Sequence, residues 1–214
     1  MPASVAFPML ALALFAFFAA ASAPSPLFVV FQQQWGFSPA LLTVAFAIYA
    51  IALLISLLVA GSLSDHIGRR PVIFVALLLQ GVAMLMFLLA RGLGELLAAR
   101  IMQGIATGMA SGGLSAAVVE AAPESRKRLG AMISSVSPLA GLAVGALLTG
   151  MAVKLTSQPV PLVFGLLSAI CASWAIATSF IPETATRRPG ALASPVPRMS
   201  VPVKRVLNLC SACR

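Results

Sequence analysis

Six runs of about 20 mainly apolar residues dominate this 214-residue chain and leave little room for a soluble fold. Each run is long enough to cross a bilayer as an α-helix, which satisfies its own backbone polar groups. Only 9% of the residues are charged, against about 25% in soluble domains. The sequence therefore predicts an all-α membrane protein with six spans: Phe7–Val30, Leu41–Leu63, Val72–Ala90, Leu96–Val119, Leu129–Val153 and Pro161–Ile181.

The positive charges predict the orientation of these spans. Seven Lys and Arg residues lie in the second and fourth connections and at the start of the tail, and only Arg91 and Lys154 lie on the opposite side. Because Lys and Arg are retained in the cytoplasm, both termini are expected there. The same topology accounts for most of the net charge of +9, so a nucleic-acid partner is not expected.

The second connection, read as GSLSDHIGRRP over Gly61–Pro71, is a short charged turn between two spans. Gly68 is able to adopt the positive φ that a chain reversal needs. Asp65 is able to accept hydrogen bonds from the first N–H groups of the next helix, where the helix dipole favours an anion. Arg69 and Arg70 mark the side of the membrane that keeps positive charge.

The pattern G-x-L-x-D-x-x-G-R-R resembles the loop between the second and third helices of the major facilitator superfamily of transporters. The matching residues are Gly61, Leu63, Asp65, Gly68, Arg69 and Arg70. The resemblance implies one half of a 12-helix fold, built as a 3+3 repeat of helices. It covers roughly residues 7–185, so residues 1–185 are expected to form the six-helix bundle and residues 186–214 a basic, disordered cytoplasmic tail.

Two spans are interrupted at places that a 3+3 repeat would make equivalent. The first span contains Ala23-Pro24-Ser25-Pro26, which breaks the helical hydrogen-bond ladder, and the fourth contains Gly104, Gly108 and Gly112. Interrupted helices at corresponding positions of transporter repeats indicate the substrate path. The alternative is that these Gly and Pro residues only assist helix packing.

Arg100 is the one unambiguous charge inside a span, and a charge at that depth is a functional-site hypothesis. At 100° per residue it shares a face with Gln103, Gly104, Thr107 and Ser111, whereas Met102, Ile105 and Met109 lie opposite. A polar face of this kind is typical of a helix beside a cavity. The alternative is that Arg100 extends to the outer interface or pairs with Glu95.

Arg100-x-x-Gln103-Gly104, followed by Gly108, also resembles the fourth-helix motif of the same superfamily. The resemblance implies a role for Arg100 in proton coupling and in organising the central cavity. The fifth span carries Gly141 and Gly145, a G-x-x-x-G spacing that favours close helix packing. Where the antiporter branches have Gly-Pro and then Gly-Gly, this chain has Ser137-Pro138 and no Gly pair, a departure that disfavours drug/proton antiport.

The remaining charged residues are expected to be structural. Glu120, Glu124 and the basic run Arg126–Arg128 are predicted to pair with one another or with the second connection. An intramembrane hydrolase would need a nucleophile, a base and an oxyanion site within reach of one another, and no His lies in a span. Cys210 and Cys213 do not complete a metal site. No enzyme activity, cofactor or metal is therefore expected.

The expected function is secondary transport of a small solute by alternating access in the inner or plasma membrane. Whether this transport is coupled to protons is left open. The expected partners are the lipid bilayer, the solute, protons, and a second six-helix half or a second copy of the chain. Three alternatives stay open: a truncated or frame-shifted fragment without transport activity, a half-transporter that works as an oligomer, and a membrane interaction protein. The sequence identifies neither the substrate nor the direction of transport.

Overall fold

The computed structural model describes the backbone of residues 3–179 and the side chains of residues 6–59 and 68–179. This part of the chain is helical, as the apolar runs predict, apart from short connections. The helices are α1 (Ala3–Ser22), α2 (Pro24–Trp35), α3 (Pro39–Ile67), α4 (Arg69–Leu89), α5 (Leu93–Ala121), α6 (Lys127–Leu155) and α7 (Pro159–Ser179), with a 3-10 turn at Glu124–Arg126. The predicted tail lies outside the described residues.

The first predicted span consists of two helices in succession. α1 ends at Ser22 and α2 begins at Pro24, with Ala23 between them in the right-handed helical conformation (φ −54°, ψ −38°). Pro24 and Pro26 lack the N–H groups that would continue the ladder, so the hydrogen bonding stops while the chain keeps its direction. α2 ends at Gly36, whose φ of 65° allows its N–H to bond to the carbonyl of Gln32.

The charged second connection is far shorter than the loop expected over Gly61–Pro71. α3 continues as helix to Ile67, α4 starts at Arg69, and Gly68 alone reverses the chain with a φ of 107°. A residue with a Cβ is strained at that φ, which explains the glycine. Pro71 is accommodated because it lies in the first turn of α4, where backbone N–H groups have no helical acceptor.

Five stretches of the described residues are long and apolar enough to cross a membrane: Ala6–Trp35, Pro39–Val59, Arg69–Leu89, Glu124–Leu155 and Pro159–Ser179. The fourth predicted span corresponds to α5, which has 29 residues and ample length. α5 is not among the five because glycines, Arg100 and Gln103 lower its hydropathy. Six membrane crossings therefore remain a prediction.

α5 lies at the centre of the bundle and packs against α1, α3, α4 and α6. Its buried face is rich in Gly and Ala, which lets neighbouring backbones approach. Two apolar clusters surround it, one around Phe17 and Leu77 and the other around Phe28 and Phe87. α3 and α6 lie at the periphery and expose large apolar side chains such as Leu58 and Leu139, as a surface facing lipid or another membrane helix does.

Candidate functional site around Arg100

Arg100 is among the largest fully buried side chains of the described bundle, with 2% of its surface exposed. It lies in the second turn of α5, about 10 Å from the start of that helix at 1.5 Å per residue. The side chain is enclosed within the bundle. The Glu95 carboxylate instead accepts a 2.5 Å hydrogen bond from the backbone N–H of Arg91. Arg100 therefore does not pair with Glu95, the partner considered from the sequence.

Four aromatic rings surround the Arg100 guanidinium. Its central carbon lies 4.3 Å from the ring centroid of Phe28, 5.3 Å from Phe46, 5.4 Å from Tyr49 and 5.6 Å from Phe87. The rings come from α2, α3 and α4, and we call them together the Arg100 cage. Ring faces attract a cation at these distances, most strongly where water is excluded. The cage thus stabilises a charge that a membrane interior would otherwise disfavour.

Gln103 joins Arg100 to the break in the first span. Arg100 Nη1 donates a 2.6 Å hydrogen bond to Gln103 Oε1, and Gln103 Nε2 donates a 3.2 Å bond to the carbonyl of Ala21. Ala21 precedes the α1–α2 break by two residues. Gln103 is completely buried, so both ends of its amide are used in a site closed to solvent. This contact connects the two interruptions that the sequence singled out.

Thr107 and Ser111 continue the polar face of α5. Thr107 Oγ1 donates to the carbonyl of Gln103 (2.8 Å), and Ser111 Oγ donates to the carbonyl of Thr107 (2.7 Å). Such bonds to the preceding turn satisfy a hydroxyl inside a helix. A role of these hydroxyls in a transport cavity remains a prediction.

Gly104 and Gly108 lie against the backbone of α3 and do not themselves border an open space. A Cβ on Gly104 would come within 2.6 Å of the Tyr49 carbonyl oxygen, and one on Gly108 within 2.6 Å of the Leu53 carbonyl oxygen. Ser56 Oγ reinforces this seam by donating a 2.7 Å bond to the carbonyl of Ile105. The two glycines therefore bring α3, with Phe46 and Tyr49, close enough to form one wall of the cage.

Gly141 and Gly145 of α6 occupy a similar seam with α1. A Cβ on Gly141 would lie 2.5 Å from the carbonyl oxygen of Phe15, and one on Gly145 would overlap the carbonyl oxygen of Ala19. Both glycines are buried. The G-x-x-x-G spacing in this chain thus coincides with a backbone-to-backbone contact.

The charged motif of the second connection meets the other end of α5. Arg69 donates to Glu120 Oε1 from Nε (3.3 Å) and from Nη2 (3.1 Å). Lys127 and Glu124 form a second, exposed ion pair at 2.6 Å. Gly61 and Asp65 lie in the last turns of α3, and their side chains are outside the described set. Arg70 is exposed at the start of α4.

A family model described as the Major Facilitator Superfamily matches residues 10–208. The chain belongs to this superfamily. The match covers most of the chain and confirms the family that the two motifs indicated.

Two further comparisons agree with the superfamily assignment. The inner membrane transport protein YnfM of Escherichia coli (strain K12) is 34% identical over 91 residues, which are 42% of this chain and 22% of that protein. The crystal structure of the human organic anion transporter MFSD10 (TETRAN) matches with a TM-score of 0.68 at 22% identity. That match covers 89% of this chain and 51% of the human chain. The chain thus spans about half the length of this superfamily structure.

Sequence reasoning missed the Arg100 cage and one further buried polar residue. The cage rings lie on helices other than α5, and no local pattern relates them to Arg100. Gln80, completely buried on α4, has no hydrogen-bond partner among the described residues. A single amide within an apolar run is a signal that could have identified it. α4 and α5 are antiparallel, with Val72 beside Gly113 and Phe87 beside Arg100, so Gln80 lies at about the depth of Thr107.

Proposed function

We propose that this chain forms one six-helix half of a secondary transporter for a small solute, with Arg100 beside the solute path. The observation that carries the proposal is a buried cation on the central helix of a bundle that belongs to a transporter superfamily. Ionisable residues inside membrane bundles are costly and typically mark substrate or ion pathways. The inner membrane is the proposed location, with both termini cytoplasmic, in line with the name of the bacterial inner membrane transport protein and with the charge asymmetry of the connections.

Helix pairing supports a 3+3 repeat within this half. If α1 and α2 together count as the first span, the contact of α3 with α5 joins the second span to the fourth. The contact of α6 with α1 then joins the fifth span to the first. An inverted repeat exchanges these two pairs. Both pairs are closely packed, and both use two glycines four residues apart. Because each seam joins a helix of one three-helix unit to a helix of the other, the two seams suit a six-helix half that moves as one body.

Alternating access requires a second wall around the solute, because one six-helix half encloses a site on one side only. We propose that a second six-helix unit supplies this wall, either a second copy of this chain or another chain. The apolar faces of α3 and α6 are available for such a contact. If the chain assembles with no second unit, the alternative of a fragment without transport activity of its own is favoured.

Transport is tested with purified protein in liposomes, by uptake of a panel of radiolabelled solutes with and without a proton gradient. Accumulation that collapses when a protonophore is added would support proton coupling, and accumulation without a gradient dependence would exclude it. Arg100→Ala should abolish accumulation, whereas Arg91→Ala, a change at an exposed arginine, should not. If Arg100→Ala leaves every measured activity unchanged, a membrane interaction protein becomes the better description.

A further inference from the structure

We propose that Arg100 binds the carboxylate of a small organic anion that carries an apolar, flat body. This inference rests on the proposed function and deepens it by naming the class of solute. It starts from the way in which the guanidinium uses its donors. Nη1 donates to Gln103 Oε1, whereas Nε and Nη2 have no acceptor among the described residues and are shielded from solvent.

Nε and Nη2 are neighbouring donors on one side of the guanidinium. Their N–H bonds run parallel and match the two oxygens of a carboxylate, so this edge is the one that makes a bidentate pair. Gln103 occupies the other end and fixes the plane of the group. Arg100 thus keeps an intact two-donor edge while its orientation is set by its own helix.

No carboxylate of the described side chains pairs with that edge. Glu95 accepts from the Arg91 backbone and Glu120 accepts from Arg69. Ring faces attract the positive charge but offer no acceptor for an N–H in the guanidinium plane. A buried cation with two unused donors gains most from a ligand that brings both negative charge and two oxygens.

The surroundings of the edge select the rest of the ligand. Phe28 and Phe87 are buried, Phe46 is 44% exposed, and the Phe28 and Phe46 rings meet edge to face with their centroids 5.4 Å apart. Aromatic walls favour a flat apolar body over a sugar or a polyvalent phosphate, whose polar groups would lose their water without new partners. The preferred ligand is therefore a monocarboxylate with an aromatic or similarly flat group.

The seam between α2 and α3 supplies the route to the cage. These two helices are not among the closely packed pairs of the described bundle, and the Phe28–Phe46 ring contact bridges them. Phe46 is the exposed member of that contact. Rotation of this one side chain would open the cage without separating the glycine seam between α3 and α5.

The first test uses three probes that share a phenyl group and differ in charge: phenylacetate, phenylacetamide and 2-phenylethylammonium. Equilibrium dialysis of radiolabelled phenylacetate against the purified chain in nanodiscs, with the other two as competitors, should give saturable binding that neither competitor displaces. The proposal would be overturned if phenylacetamide displaced radiolabelled phenylacetate at the same concentration as unlabelled phenylacetate does. The absence of saturable binding would also overturn it. This comparison needs no variant.

The second test separates the two-donor edge from the positive charge. Arg100→Lys keeps the charge but lacks the fork, and should weaken phenylacetate binding by about tenfold or more. Arg91→Lys, the same change at an exposed position, should leave binding unchanged. Phe46→Ala should speed association, followed by rapid filtration of the nanodiscs after mixing with radiolabelled phenylacetate, while it weakens equilibrium binding less than Arg100→Lys does. Equal binding by the Arg100→Lys protein would show that the fork is not used, and an unchanged association rate for Phe46→Ala would exclude the route.

Failure of this inference is distinguishable from failure of the proposed function. Dialysis is done without a gradient and needs no transport. Uptake of another solute into liposomes without phenylacetate binding would support the proposed transport function and exclude the anion site. Phenylacetate binding without uptake of any solute would support the anion site and exclude the proposed transport function.

Discussion

Arg69 and Glu120 join the first turn of α4 to the last turn of α5, with Nη2 of the arginine 3.1 Å from Oε1 of the glutamate. The two side chains are 16% and 35% exposed, so the pair is partly shielded from water. Arg69 follows Gly68, the residue at which the chain reverses between α3 and α4. The ion pair therefore ties the reversal of the charged motif to the central helix.

The first prediction concerns this ion pair. Glu120→Gln should lower the free energy of unfolding by about 1 kcal/mol, since a partly shielded pair contributes more than an exposed one. Glu124→Gln, which affects the exposed pair with Lys127, should cost less. A double-mutant cycle of Arg69→Gln and Glu120→Gln, read by thermal unfolding in detergent, isolates the pairwise term. Strict additivity of the two changes would show that the contact contributes nothing.

The second prediction concerns the glycine seam between α3 and α5. Gly108→Ala should destabilise the protein by roughly 1–3 kcal/mol, because its Cβ would meet the Leu53 carbonyl and the Ser56 Cβ at 2.6 Å and force the helices apart. Gly150→Ala is the matched control, since no atom lies within 4 Å of a Cβ built there. The control should be neutral or slightly stabilising, because Ala has the higher helix propensity. Equal unfolding temperatures for the two variants would contradict the close approach.

The third prediction concerns the amide that joins Arg100 to α1. Gln103→Leu keeps the bulk but removes the bonds to Arg100 and to the Ala21 carbonyl, and should cost roughly 1–3 kcal/mol in unfolding free energy. Gln34→Leu, at an exposed position near the end of α2, should have little effect. Thermal unfolding of both variants in the same detergent measures the difference. A Gln103→Leu protein as stable as the control would mean that these bonds add no net stability.

The fourth prediction concerns orientation in the membrane. In a background without native cysteines, Ser157→Cys lies in the connection between α6 and α7, and Ser125→Cys in the connection between α5 and α6. An impermeant maleimide added to intact cells should label the cysteine at 157 and should label that at 125 only after permeabilisation, because the basic connections are retained inside. The reverse labelling pattern would place the termini on the outer side.

The connections illustrate how far local chemistry alone predicts this fold. Apolar run length predicted where the helices lie, because a helix within lipid must satisfy its own backbone. The turn at Gly68 was predicted from the need for positive φ, but not the continuation of α3 through Asp65, since a helix end depends on competing local and tertiary contacts. The sequence predicted that Glu120 would pair with basic residues near it or in the second connection. It pairs with Arg69 of that connection, 51 positions away in the sequence.

The sequence by itself determined the helical, membrane-embedded character of the chain, its family motifs and the presence of a charge, Arg100, within a predicted span, because these depend on residue type and short spacing. Only the tertiary structure decided what surrounds Arg100. Phe28, Phe46, Tyr49 and Phe87 reach it from three other helices. The packing of Gly104 and Gly108 on α3 sets the distance between Arg100 and the wall of the cage that α3 provides. Such contacts depend on how helices cross, which side-chain periodicity within one helix does not specify.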